Sequence, residues 1–259
     1  MALDTLPPLY YINLDHRSEK RDYMERLLHA HGVVGTRIAA TNGLDDIRSL
    51  LYHGVVPKGL KSTQLACTIS HLRAIRHWLT TSDTDTALIC EDDVSFDTVA
   101  NWPFTWATVM SQLPYYWDMF QCCITYHPMH PATISLHPHQ TTDFSCVAYV
   151  IRRRYAEKLM DLYWRDGTWT LDYPSIYTLT AEEVLYKPGV CISLPMFTYT
   201  NEFESSIQTK EHMNQYHTPS REFVLDVWKQ VRVSRMPMRT LLQLDSPVTM
   251  APMQSVKMK

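Results

Sequence analysis

An α/β fold, with a mostly parallel central sheet and helices on both faces, follows from three features of this sequence. Strand-like apolar runs alternate with amphipathic helical patterns through the first 95 residues. The third of these runs, Ala87 to Cys90, is apolar without interruption, as strands covered on both faces are. Polar and acidic residues then gather at their carboxyl ends, where ligands bind in sheets of this kind.

LYYINLD, residues 9 to 15, is the opening strand. SEKRDYMERLLHAHG follows as a polar-rich helix with Tyr23, Leu27 and Leu28 on one side and Gly32 as its stop. TRIAATNG gives a short strand and an Asn42-Gly43 turn. After a loop holding Gly54, Pro57 and Gly59, STQLACTISHLRAIRHWLTT sets Leu65, Ile69, Leu72 and Leu79 on one helical face, with Ser62 as the expected N-cap. ALICEDDV is the third strand.

The second half is less regular. WDMFQCC (117 to 123) and FSCVAYVI (144 to 151) read as strands, separated by the loop ITYHPMHPATISLHPHQ. Arg152, Arg153 and Arg154 open a helix, RRRYAEKLMDLYW, and read as its solvated face rather than an anion site. An aromatic loop, WRDGTWTLDYPSIYT, the Pro-punctuated YKPGVCISLPMF and a helix near REFVLDVWKQV complete a single domain over residues 1–235. Residues 236–259 lack sustained periodicity and read as a flexible or docking tail.

Composition excludes several classes of function. With 259 residues and 45% apolar content, the chain can bury a large core. A formal charge of −3 and a pI near 6.4 offer no field for nucleic acid. No run approaches the ~18–20 apolar residues of a membrane span, and MALDTLPPLY lacks the basic head and apolar core of a leader, so a cytoplasmic location is expected, with peripheral membrane association as the alternative. Six cysteines lie in apolar runs without a CxxC pair and read as buried, reduced thiols. His127, His130, His137 and His139 fit no regular zinc spacing and read as a surface loop. Oligomeric state leaves no signal here.

The chemistry gathers at Glu91, Asp92 and Asp93, three adjacent carboxylates at the tip of an apolar strand. Alternation along an extended chain turns Glu91 and Asp93 to one side and Asp92 to the other. Such a tip is either a site for a hard divalent cation, Mg²⁺ or Mn²⁺, shared with phosphate oxygens, or a solvated acidic turn. Asn13 to Arg17, Thr41 to Gly43 and Glu91 to Asp93 all fall at strand carboxyl ends and are expected to line one crevice. Arg17 and Arg21, four apart, either meet a diphosphate together or pair with Asp22 or Glu25 at the surface.

Several of these segments, in this order, resemble glycosyltransferase family 25. YYINLDHRSEKRDYM is similar to that family's opening strand with Ile-Asn-Leu and spaced arginines, and TRIAATNG to its Arg-Ile-x-Ala-x-x-Gly segment. CTISHLRAIRHW resembles its Cys-x-x-Ser-His-Leu helix, ALICEDDV its metal-binding strand end, and SCVAYVIRRRYAEKLM its later strand and helix. TLDYPS, LYKPGVCISLP and SSI resemble its closing series, so the likeness spans roughly residues 9 to 207. The family includes bacterial lipooligosaccharide galactosyltransferases and collagen hydroxylysine galactosyltransferases.

The resemblance implies a GT-A-like fold, a UDP-sugar donor, a Mn²⁺ (or Mg²⁺) cofactor and inverting transfer of a hexose, galactose first, to a glycan or protein-linked hydroxyl. It implies Glu91 and Asp93 as metal ligands and Asp92 near the donor sugar or ribose. Asn13, Arg17 and Arg21 would lie near the nucleotide, beside Thr41 of the expected crevice, and Ser70 and His71 near the donor pocket, although His71 reads equally as a hydrogen-bonded helix histidine packed under the sheet. Asp172, flanked by Trp169 and Tyr173, is the expected base that takes the acceptor proton, or else a turn residue or helix cap beside aromatics of the core. The chain departs from the family pattern at Thr63 to Cys67, where members show Gly-Glu-x-Gly-Cys, and at Ser206, where many have Asp. Two other readings therefore stand beside the transferase: a catalytically silent relative that binds glycan or protein, and a different metal-dependent phosphate or nucleotidyl enzyme.

Overall fold

The structure is a computed structural model and describes residues 2–57, 59–171, 180–205 and 207–251. In chain order it runs β1 (Leu9–Asn13), α1 (Ser18–Ala30), β2 (Gly35–Ala39), α2 (Ser62–Thr81), β3 (Thr86–Glu91) and β4 (Val94–Ser95). Then come α3 (Trp106–Gln112), β5 (Met119–Cys123), the two-residue strands β6 (Ala132–Thr133) and β7 (His137–Pro138), and β8 (Ala148–Arg152). After α4 (Arg153–Tyr163), the small hairpin β9 (Trp164–Arg165) and β10 (Thr168–Trp169), and α5 (Ala181–Tyr186), the long β11 (Cys191–Tyr199) returns through the core. The chain closes with α6 (Lys210–His212), a π-turn over Met213–His217, α7 (Thr218–Ser234), α8 (Met238–Leu242) and β12 (Thr249–Met250).

Among the described residues the main sheet has eight strands, in the order β2-β1-β3-β8-β5-β11-β4, with β7 paired to β11. Strands β1, β2, β3, β5 and β11 point one way, and β8, β4 and β7 oppose them, so the sheet is mostly parallel. This mixed α/β architecture is compatible with a GT-A-like fold. Residues of β3 alternate between two apolar layers: Leu88 and Cys90 face one, Ala87 and Ile89 the other. The first layer packs Met24 and Leu28 of α1, Trp106 of α3, Trp228 of α7 and Leu241 of α8. The second packs Leu65, Ile69 and Leu72 of α2, Leu159 of α4 and Val184 of α5. Helices therefore cover both faces.

Local details depart from the expected elements in instructive ways. The N-cap position of α2 is Lys61, not Ser62, and the Gln64 side chain accepts the Lys61 N–H at 3.0 Å. Gln64, where the family has Glu, thus still ties down the first turn. The buried stripe of α1 is Lys20, Met24 and Leu28, while Tyr23 and Leu27 are only partly covered. Leu241 and Leu242 are buried in the core and β12 pairs with β6, so residues 238–250 lie against the domain. All six cysteines are free thiols.

Candidate active site

The tip of β3 is held from both sides before any side chain acts. The Glu91 N–H donates to the Val147 carbonyl at 2.8 Å and the Thr200 N–H to the Asp93 carbonyl at 2.8 Å, while β4 turns back to pair with β11. Pleating then sorts the carboxylates. Glu91 continues the Ala87, Ile89 side and meets α2, where His71 Nε2 lies 3.2 Å from its Oε1. Asp92 continues the Leu88, Cys90 side and meets α1, where Lys20 Nζ donates to its Oδ1 at 2.8 Å. Strict alternation would send Asp93 after Glu91. Instead the strand has ended, the chain turns, and Asp93 Oδ2 accepts from the same Lys20 at 3.0 Å.

Lys20 was not singled out by the sequence, yet it answers the charge of the acidic tip from within. Its side chain is 9% exposed, and Asp92 and Asp93 flank it. Burial alone would lower its pKa, but the charges of Asp93 and Asp92 outweigh burial and hold it above the ordinary lysine value. Burial pushes the Asp92 carboxyl upward, helped by Asp93 and opposed by Lys20 and Asn13. At Glu91 burial also pushes upward, but the His71 hydrogen bond and nearby Lys20 and His217 bring the net shift below the usual value.

Asn13 closes the other side of Asp92. Its Nδ2 donates to Asp92 Oδ2 at 2.8 Å and to the Arg17 carbonyl at 3.1 Å, while its Oδ1 accepts from Arg37 Nε at 2.8 Å. Asn13 is 1% exposed, so it braces the tip from beneath. Thr41 and Ser70 are linked, the Thr41 N–H donating to Ser70 Oγ at 2.8 Å. Gly43 makes that junction possible: a Cβ there would lie 2.7 Å from Thr63 Cα at the start of α2.

Two cavities meet at the carboxylates. The smaller, of about 250 Å³, is lined by Arg17, Lys20, Thr41, Gly43, Ser70, His71 and all three acidic residues. The larger, of about 480 Å³, is lined by Tyr126, Phe144, Glu182, Phe203, Tyr216 and His217 among others. Glu91, Asp93, Cys67, Ser205 and Ile207 belong to both. Arg17 fixes this shared roof by donating from Nη2 to the Glu204 carbonyl at 2.9 Å. Arg21 sits on α1 and is not in the lining of either cavity, so the two arginines do not converge there. Asp172 and Ser206 lie outside the described residues.

The donor set suits a hard divalent cation. Asp93 spends Oδ2 on Lys20 and leaves Oδ1 buried with no hydrogen-bond partner among the described residues, an orphan acceptor pointing to a cation. Glu91 lines the same partition. The histidine-rich loop forms no metal cluster among the described residues. His137 and His139 instead flank Asp143, with His137 Nε2 at 3.1 Å from its Oδ2.

No helix among the described residues is long and apolar enough to cross a membrane. No curated protein matches the chain. Among solved structures it is similar to A197 from STIV, with 10% identity and a TM-score of 0.41 over 79% of this chain and 100% of that one, a likeness too distant to bear on chemistry. The sequence model of glycosyltransferase family 25, described as an LPS biosynthesis protein, matches residues 6–173, which carry β1 to β3, their polar tips and Lys20. With well over half its length matched, the chain belongs to glycosyltransferase family 25.

Proposed function

We propose that the protein transfers a hexose, galactose first among the candidates, from a UDP-sugar to a hydroxyl of a glycan or hydroxylysine-type acceptor, with inversion. The observation that carries this reading is the meeting of two cavities at one carboxylate tip. A transferase needs a donor and an acceptor to approach one point from different directions. The smaller cavity, with Arg17, Thr41, Ser70, His71 and Asp92, is the donor side in this reading. The larger, walled by aromatic and imidazole rings, is the acceptor side, since such faces stack against sugars.

Asp93 and Glu91 would hold Mn²⁺ or Mg²⁺. When bound, the ion neutralises charge developing on the departing diphosphate. Lys20 and Asn13 keep Asp92 fixed beside it. Asp172 is our assignment for the base that removes the acceptor proton, and Glu182, in the lining of the larger cavity, is the alternative carboxylate. The free thiols fit a reducing compartment, and we assign the activity to the cytoplasm.

Thermal unfolding with UDP, with and without Mn²⁺, tests the reading on wild type and Asp93→Ala. Ligand at about a hundred times its Kd stabilises the native state by ~2.7 kcal/mol. The expected result is a rise in midpoint that needs both Mn²⁺ and Asp93. No rise for wild type with UDP and Mn²⁺ would leave a silent relative, and turnover of nucleoside triphosphate without sugar would point to the phosphate enzyme.

A further inference from the structure

Cys67 and His71 stand four residues apart on α2, so they project from one helix face. That face meets the last residue of β3. A consequence is that the Cys67 thiol, a ring nitrogen of His71 and a carboxylate oxygen of Glu91 all lie within 4.8 Å of one another. This set differs in kind from the oxygen donors at Asp93. Sulfur and imidazole nitrogen select borderline ions such as Zn²⁺ or Co²⁺ over Mg²⁺ and Mn²⁺. Three protein ligands with cavity beside them also match the open arrangement of reactive zinc sites, and Cys67 and Glu91 line both cavities.

The imidazole is already oriented for ligation. Its Nδ1 lies 3.1 Å from the hydroxyl of buried Tyr149, a supporting contact of the kind that fixes metal-bound histidines. A hydroxyl can both donate and accept, so the ring can carry its proton on Nδ1 and turn the Nε2 lone pair toward Glu91. A cation between Nε2 and Oε1 would then take the place of the proton now shared across 3.2 Å.

We propose that Cys67, His71 and Glu91 form a three-ligand site for a borderline divalent cation, Zn²⁺ in the first instance, beside the hard-cation position at Asp93. Loading releases the Cys67 thiol proton to solvent, because the thiolate is the ligand, and the neutral imidazole's single proton, shared with Glu91 through Nε2 in the free protein, moves to Nδ1 with the Tyr149 hydroxyl as its acceptor. Glu91 serves both positions. A filled thiolate site therefore withdraws one ligand from the cation at Asp93 and opposes its binding.

Co²⁺ titration of the full chain, followed by absorbance, tests this without sugar nucleotide and so independently of the transferase reading. Wild type should give a thiolate-to-Co²⁺ charge-transfer band that saturates at one equivalent, with the strong visible bands of four-coordinate Co²⁺. Cys67→Ser should abolish the charge-transfer band with unchanged circular dichroism. Cys146→Ser, a cysteine that also lines the larger cavity, should keep it. Glu91→Gln should weaken Co²⁺ affinity tenfold or more, as removal of a ligand does. No charge-transfer band in wild type, or a band that survives Cys67→Ser, overturns the proposal; equal affinity in Glu91→Gln overturns the assignment of Glu91.

Discussion

Lys20 is the residue on which the acidic tip depends. Taking one partner from a buried ion pair leaves an uncompensated charge and costs ~3–5 kcal/mol. Lys20→Met keeps the apolar stem and removes the ammonium, so Asp92 and Asp93 would face each other without a counter-charge. We expect the thermal midpoint to fall by on the order of 10 °C for a chain of this size. Adding Asp92→Asn removes the repulsion between the two and should recover most of that loss. If the double variant melts no higher than Lys20→Met alone, charge repulsion is not the cause. The tip was legible as a knot of like charge at a strand end, which the residues alone read either as a cation site or as a solvated acidic turn. Lys20 was hidden by its neighbours in the polar run SEKR, and its only signal was position: it stands four and eight residues before Met24 and Leu28, at the head of the buried stripe.

At the scale of elements, α2 could be read from the sequence because period and boundaries agreed, and it spans Ser62–Thr81 as its pattern implied, whereas β3 was legible in kind but ends at Glu91 instead of running on to Val94. The π-turn of Met213–His217 was not legible, since an extra residue in one turn leaves no mark in a short polar segment. That turn brings Tyr216 and His217 into the wall of the larger cavity, with the Tyr199 hydroxyl donating to the His217 carbonyl at 2.8 Å. Burial lowers the His217 pKa below the ordinary value, the neighbouring charge of His212 adds to this, and Asp93 and Glu91 oppose it. The sign of the linkage follows. The unfolded chain protonates this histidine near the ordinary value of about 6.5 while the native chain does not, so the unfolded state binds more protons and stability falls as pH drops through that range. Thermal midpoints between about pH 7.5 and pH 5.5 should therefore decline less steeply in His217→Gln than in wild type. Some slope will persist, because burial lowers His139 in the same direction. Parallel slopes in the two proteins would show that His217 titrates alike in both states.

Across the whole molecule, alternation of elements revealed the layers but not the sheet order. Nothing local in AYVIR says that β8 enters antiparallel between β3 and β5, nor that β11 returns beside β5, because these pairings join segments far apart in sequence. Yet this long-range order creates the second cavity. Strands β1, β2 and β3 with α1 and α2 build the smaller cleft, and the β11 end, the π-turn and the start of α5 build the larger one. Such a division predicts separable kinetic defects. Gly43 lines the smaller cleft alone, and a methyl group there meets the α2 backbone at 2.7 Å, so Gly43→Ala must move the Thr41–Gly43 turn. Overpacking of this sort costs ~1–3 kcal/mol, and ~1.4 kcal/mol of lost binding is a tenfold change. Gly43→Ala should raise the KM for the donor about tenfold and leave that for the acceptor unchanged. Tyr216→Ala, in the larger cavity alone, should do the reverse and leave the thermal shift with UDP and Mn²⁺ intact. Initial rates with both substrates varied would separate the two constants. Equal rises in both constants for either variant would mean that the cavities do not divide donor from acceptor, and that the carboxylate tip is approached from one side only.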